Sequence, residues 1–236
     1  MAGAVVVLQA RLGSRRLPGK VLARINGRTI LEHCIARLLP SRVPVIVATT
    51  TRPEDDRVER EALRHGAEVF RGDEADVLSR VVGAARAFGA TEIVRATADN
   101  PLVDIGAPAR VLDLRRRVQA DHVVECGLPV GAAVEAASVA ALVRAQALIT
   151  DPYDREHVTS FLRRAPGFLA LRAVSPGNVR RPGLRLTVDT PEDLEFVRNI
   201  MARFPADVLP DLAQVLTVAD GLLVRSVARQ RTQQGA

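Results

Sequence analysis

The sequence predicts an α/β domain built on a doubly wound, mostly parallel sheet, with a less regular insertion. Three observations carry this. Short apolar, β-rich runs alternate with amphipathic runs in the order β-α-β-α-β-α-β over residues 4–98. The first run, AVVVLQA at 4–10, is apolar almost throughout, as expected of a strand covered on both faces. Helix-length connections between successive strands favour parallel neighbours joined by crossovers.

Each element has its own signal. TILEHCIARLL (29–39) reads as a helix: Thr29 and Glu32 have capping-box spacing, and Ile30, Leu31, Cys34, Ile35 and Leu38 share one face. VPVIVATT (43–50) reads as the second strand. PEDDRVEREALRHG (53–66) opens with Pro and acids and closes on His-Gly, the polarity of a helix. AEVFRG (67–72), DVLSRVVGAARAFG (76–89) and TEIVRATA (91–98) continue the alternation as strand, helix and strand. The regularity fades after about residue 120. Short strands and a turn are expected over 121–138, helices over 139–148 and 154–164, and strands at 168–174 and 184–188. A helix at 191–204 and a weaker one near 210–217 precede the tail ARQRTQQGA, which reads as polar and frayed. The whole chain, 1–236, is expected to be one domain, with 121–180 as the insertion.

Bulk properties narrow the function classes. No run approaches the roughly 20 apolar residues of a membrane helix. The N-terminus lacks the basic region of a signal peptide. Cys34 and Cys126 lack metal-type spacing, which suits thiols in a reducing cytoplasm. The net charge of +6 could suit nucleic acid, but the arginines are scattered and there are six Phe, one Tyr and no Trp for base stacking. No nucleic-acid or membrane partner is expected.

The chemistry gathers in three stretches. In an open α/β sheet, ligands bind beyond the carboxyl ends of the strands. QARLGSRRLPGK (9–20) sits there, directly after the first strand. Gly13 and Gly19 permit tight turns, Ser14 adds a hydroxyl, and Arg11, Arg15, Arg16 and Lys20 bring positive charge suited to a polyphosphate. Five residues separate Gly13 from Gly19 and Val21 follows Lys20, so this is not a Walker loop. No G-x-G-x-x-G follows the strand, which argues against a nicotinamide enzyme. Lys20 is the sole lysine among 33 basic residues, and its place in this loop points to a demand for an ammonium that arginine does not meet. In RATADNPLVD (95–104), Asp99 ends the fourth strand; in LRLTVDTPEDLE (184–195), Asp189 stands before a helix, where it could equally be an N-cap. Two aspartates facing a cationic loop would form a Mg²⁺–triphosphate site.

LQARLGSRRLPGKVL, VIVATTTRPEDD, VFRGDEADVLSR, TADNPLVD, DREHVT and LRLTVDTPEDLE, in order over roughly 4–200, resemble the cytidylyltransferases of spore-coat polysaccharide biosynthesis. More distantly, the chain is similar to the CMP-ketodeoxyoctonate and CMP-sialate synthetases. The resemblance implies a nucleotide-diphospho-sugar transferase fold of the glycosyltransferase-A type. It implies CTP as donor, Mg²⁺ as cofactor, a small acidic acceptor and a homodimer joined through 121–180. Carried over by position, Leu8, Gln9, Ala10, Arg11, Gly13, Ser14, Lys20, Arg71 and Asp99 would bind the nucleotide. Lys20, Arg11, Arg16 and Asp99 would be catalytic, and Asp99 and Asp189 would hold the metal. Glu135, Arg155, His157 and Arg185 would face the acceptor, although a solvent-facing Arg185 fits its alternation with Leu184 and Leu186 equally well. His33, His65 and His122 show no partner pattern and read as structural. Family members often read PDGLDVEVF where this chain reads PVGAAVEAA (129–137), so Val130 and Ala133 replace two aspartates. That departure bears on the acceptor. The altered 129–137 stretch also leaves open a non-catalytic nucleotide-binding homologue, and because the sequence does not fix the base-reading residues, another nucleoside triphosphate with a sugar phosphate stays open too.

Overall fold

Ala4–Gln9 forms β1, and Val5 to Leu8 are fully buried because helices cover both faces of the strand. In this computed structural model residues 3–234 are described, with side chains through Val224. A loop leads to a small hairpin of β2 (Arg24–Ile25) and β3 (Arg28–Thr29), then to α1 (Ile30–Leu38). Thr29 caps α1 by accepting the Glu32 N–H, but the Glu32 carboxylate pairs with Arg28 at 3.3 Å instead of closing a capping box. β4 (Val45–Thr50), α2 (Asp56–Arg64), β5 (Glu68–Gly72), α3 (Val77–Ala87) and β6 (Glu92–Thr97) follow in the expected alternation.

The next element was not anticipated. α4 (Ala107–Val118) fills the span between the Asp99 loop and residue 120, with Pro108 in its first turn and Val111, Leu112 and Arg115 buried. β7 (His122–Cys126), β8 (Glu135–Ser138), α5 (Val139–Leu148), α6 (Pro152–His157), α7 (Ser160–Arg164) and β9 (Ala170–Val174) come next. The single helix expected over 154–164 is two. They break at Val158, which adopts φ 59° and is closed by a Thr159 N–H to His157 carbonyl bond of 2.6 Å. The strand expected at 184–188 is an extended segment that makes only an isolated bridge, Arg185 with Val130. α8 (Pro191–Met201) carries a full capping box between Thr190 and Asp193, so Thr190 and not Asp189 is the N-cap. α9 (Leu212–Gln234) is longer than expected: it continues through most of the tail read as frayed, whose last two residues lie outside the described ones.

The sheet order is β5-β4-β1-β6-β8-β7-β9. All neighbours are parallel except those of β8, which runs against β6 and β7. Residues 121–180 thus extend the same sheet by three strands. One face is covered by α1, α4, α8 and α9, through residues such as Leu31, Val111, Val197 and Leu216. The other is covered by α3, α5 and α7, through Leu78, Val81, Leu142 and Leu162. β1 lies between β4 and β6, so the chain winds one way through β4 and β5 and then crosses to β6. The crevice beyond β1 and β6 is therefore a topological switch point, where such sheets bind ligands.

Candidate active site

The loop after β1 is held from below by a buried carboxylate. Asp55, 1% exposed, accepts the Leu12 N–H at 2.8 Å and the Thr50 hydroxyl. Gly19 adopts φ 70°, a conformation that favours glycine, and its N–H closes the loop onto the Leu12 carbonyl at 3.0 Å. This turn delivers Lys20 inward: it is 9% exposed, whereas Arg15 and Arg16 stay at the surface.

The Lys20 ammonium meets three oxygens. It donates to Asp99 Oδ2 at 3.0 Å, to the Val188 carbonyl at 2.9 Å and to Asp189 Oδ1 at 2.9 Å. Arg16 reaches Asp189 Oδ1 at 3.0 Å, and Arg185 binds Asp189 Oδ2. Thr97 donates to Asp99 Oδ1 at 2.6 Å. Burial pushes the Asp189 carboxyl up, but Lys20, Arg16 and Arg185 outweigh it and hold the group below its ordinary value. Asp99 and Asp189 converge although the latter does not end a strand. The Val188 N–H bonds to the Asp99 carbonyl at 2.7 Å, which fastens the two segments directly.

These residues line a cleft of about 440 Å³, within the size range of small-ligand sites. Gln9, Ala10, Arg11, Gly13 and Ser14 are on its wall, with Lys20, Asp99, Asp189 and His157. Leu8 is not: its side chain is fully buried in the core beneath. Nor is Arg71, whose donors are consumed by the Thr50 and Arg52 carbonyls and the carboxylates of Asp56 and Glu59, stitching β5 to the start of α2. Arg155 also lies off the wall. It binds Asp76, the N-cap of α3, at 2.6 Å and the Ile149 carbonyl at 3.0 Å, and so pins α6 over the cleft with Glu156 and His157. Arg185 flanks the site through Asp189 and Asp193.

Glu135 is set behind the wall. It accepts from Thr159, from Arg163 at 2.8 Å, and lies 3.6 Å from Arg95 and 3.5 Å from the buried His122. Burial drives its carboxyl up, and His122, Arg95 and Thr159 more than reverse this, leaving it well below the usual carboxylate range. Of the three histidines read as structural, His33 bonds the Ile25 carbonyl at 2.8 Å, His65 lies 3.6 and 3.7 Å from the Glu32 and Glu61 carboxylates, and the buried His122 stands beside Glu135 with neither ring nitrogen hydrogen-bonded.

Two cleft arginines are not evident as site residues from the sequence. Arg95, on β6, donates to Gln9 Oε1 at 2.6 Å and lines the floor. Arg80, on α3, is 3% exposed and donates to the Asp73 and Glu74 carbonyls, the second of which also accepts from Arg11 at 3.3 Å. Burial lowers the Arg80 pKa, with Arg11 adding to the effect. The signal was available: each is a charge at a position whose spacing is otherwise apolar, in EIVRATA and in VLSRVV. The site thus combines a cationic loop, the half-buried Arg95 and buried Arg80, and two convergent carboxylates. That set suits a polyanion together with a divalent cation.

Comparison with known proteins follows the same lines. Residues 5–216 match the family model described as cytidylyltransferase. The chain is 33% identical to the spore coat polysaccharide biosynthesis protein SpsF of Bacillus subtilis, over 88% of this chain and 89% of that protein. It is 30% identical to the 3-deoxy-manno-octulosonate cytidylyltransferase of Anaeromyxobacter dehalogenans, over 86% of this chain and 99% of that protein. Among solved structures it is similar to a cytidylyltransferase from Leptospira borgpetersenii, with 27% identity, a TM-score of 0.84, and coverage of 95% and 96% of the two chains.

Proposed function

The chain belongs to the cytidylyltransferase family, and we propose that its cleft transfers CMP from CTP to a small acidic acceptor, a keto-sugar acid or a related compound, with release of pyrophosphate. The observation that carries this reading is the convergence of Lys20 with Asp99 and Asp189 at the switch point, under a loop of three arginines. An acceptor oxygen attacks the α-phosphorus, and the bond to the bridging oxygen of pyrophosphate breaks. Arg11, Arg16 and Lys20 neutralise the charge that collects on the leaving group. Asp99 and Asp189 would hold Mg²⁺. The fit rests on donor chemistry: these are hard carboxylate oxygens that already share one cation. Bound there, the ion supplies charge neutralisation at phosphate oxygens.

Arg95 is assigned to the acceptor. Its guanidinium lies on the cleft floor beside Gln9, and a carboxylate on the acceptor would meet it. His157 and Glu156 overhang the same space. Val130 and Ala133, in place of the aspartates common in the family, favour an acceptor with fewer hydroxyls to bind at that edge. We read the chain as one transferase domain acting in the cytoplasm. We assign 121–180 to acceptor binding and homodimerisation, because β9 is an open sheet edge bearing the exposed Val174.

Thermal stabilisation by CTP, UTP, GTP and ATP, each with and without Mg²⁺, tests the donor. A ligand selective for the folded state adds about 2.7 kcal/mol at a hundredfold excess over its Kd. A Mg²⁺-dependent preference for CTP is expected. A preference for another nucleotide would replace the donor, and pyrophosphate release across a panel of keto-sugar acids and sugar phosphates identifies the acceptor. No release with any of them would favour a nucleotide-binding homologue without turnover.

A further inference from the structure

The Lys20 ammonium has three protons, and all three are used on Asp99, Val188 and Asp189. The remaining carboxylate oxygens are also engaged: Asp99 Oδ1 by Thr97 and Asp189 Oδ2 by Arg185. A compact cation therefore already sits between the two aspartates, bound as a metal would be, by one oxygen from each and a backbone carbonyl. We propose that Lys20 is the resident cation of the Asp99–Asp189 pair in the free enzyme, and that it yields this place only to a triphosphate, so that divalent metal enters with nucleotide and not before it. The inference rests on the reading that these aspartates take a divalent ion.

The physical reasons are three. First, a divalent ion that takes both carboxylates must displace the ammonium. The displaced charge, 11% exposed along its side chain, has no other anion within the described cleft wall except Glu156, which is already near Arg11 at 3.9 Å. Without a new anion, metal entry leaves Lys20 and the metal in repulsion. Second, a triphosphate supplies that anion on the loop side, so the ammonium can move a short distance along its flexible stem and keep its charge paired. Third, arginine cannot do this. Its planar fork spreads five donors over a wide arc and cannot satisfy three oxygens that converge on one point. This explains why a chain that otherwise uses arginine throughout keeps an ammonium at this position.

Because Lys20 is the sole lysine, protein labelled with ¹⁵N at lysine Nζ carries a single side-chain ammonium reporter. Its resonance is expected to persist unchanged when Mg²⁺ alone is added and to shift when CTP and Mg²⁺ are added together. A shift with Mg²⁺ alone as large as that with both overturns the inference. Mn²⁺ titration without nucleotide is the second arm. Lys20→Met should bind Mn²⁺ at least about tenfold more tightly than wild type, a difference of about 1.4 kcal/mol. Adding Asp99→Asn should abolish that gain. Equal affinity of wild type and Lys20→Met overturns the inference. If Lys20→Met does not fold, the labelled wild type decides alone. The underlying reading fails separately: it is lost if nucleotide stabilisation never depends on Mg²⁺. It survives if that dependence holds while the Nζ signal already moves with Mg²⁺ alone.

Discussion

Lys20 Nζ and Asp189 Oδ1 lie 2.9 Å apart although 169 positions separate them in the chain. The contact joins the loop after β1 to the segment before α8, and Asp99 completes it from the turn after β6. Removing a charge that acts on a developing anion typically costs on the order of 10²–10³ in rate. Lys20→Ala is expected to lose that much turnover while its far-ultraviolet spectrum stays native. Lys20→Arg should be no better, since the fork does not reproduce three convergent bonds. Pyrophosphate-release assays on both variants check this, and near-wild-type turnover in Lys20→Arg would show that only the charge matters.

Glu135 gives the acid limb of stability a defined origin. Its carboxyl lies below its ordinary value in the folded protein, because His122, Arg95 and Thr159 outweigh its burial. A group depressed in this way contributes stability above its unfolded pKa, about 4.3 for glutamate, and loses it as pH falls through the lower folded value. Glu135→Gln should melt lower than wild type at neutral pH. The gap should narrow progressively below about pH 4. Melting curves from pH 7 downward measure it, and a gap that does not change with pH would remove Glu135 as its cause.

Gly131 is the tightest backbone approach at the site. It adopts φ +94°, and a Cβ there would lie 2.6 Å from the Thr187 nitrogen and 2.9 Å from Asn100 Oδ1. Those neighbours precede Val188 and follow Asp99, so a methyl group would wedge the two aspartate-bearing segments apart. Gly131→Ala should cost on the order of 2 kcal/mol from crowding and the strained φ together. It should also lower nucleotide-induced stabilisation. Gly13→Ala is the control: its Cβ would meet only Glu74 Oε1, at 3.5 Å. Denaturant midpoints for the pair separate crowding from a general intolerance of the loops.

The legible parts of this molecule were those where local pattern and tertiary role coincide. The apolar run of β1 and the capped amphipathic helix after it read directly, and so did the cationic loop between them. α4 is less legible: Pro108 and the spacing of Val111 and Leu112 fit a helix, but its apolar stripe is short, is completed by the buried Arg115, and ends in the run Arg115–Arg117. The segment 184–188 alternates like a strand, yet only the Arg185–Val130 bridge forms, since the Val188 N–H goes to the Asp99 carbonyl and the Leu184 N–H to the Arg181 carbonyl. Long-range pairings such as Glu135 with Arg163, or Arg71 with Glu59, leave no trace in local sequence. They decide which arginines reach the cleft and which are structural.

Arg95 is the sharpest test of how the acceptor is held. It is a charge within β6, flanked by the buried Val94 and Ala96, and its Nε is fixed by Gln9 at 2.6 Å. Glu135, 3.6 Å away, balances its charge without closing it off from the cleft, which Arg95 still lines. An arginine oriented in this way is pre-organised for a carboxylate, and hydrogen bonds to charged groups contribute about 1.5–3 kcal/mol. Arg95→Met keeps most of the stem's packing and removes the fork. The acceptor KM should rise roughly 10- to 100-fold, while stabilisation by CTP and Mg²⁺ stays within error of wild type. Arg95→Lys should recover part of the charge and little of the geometry, giving an intermediate KM. If Arg95→Met instead weakened CTP binding and left the acceptor KM unchanged, Arg95 would belong to the phosphate site, and the acceptor's acid group would have to be sought near His157.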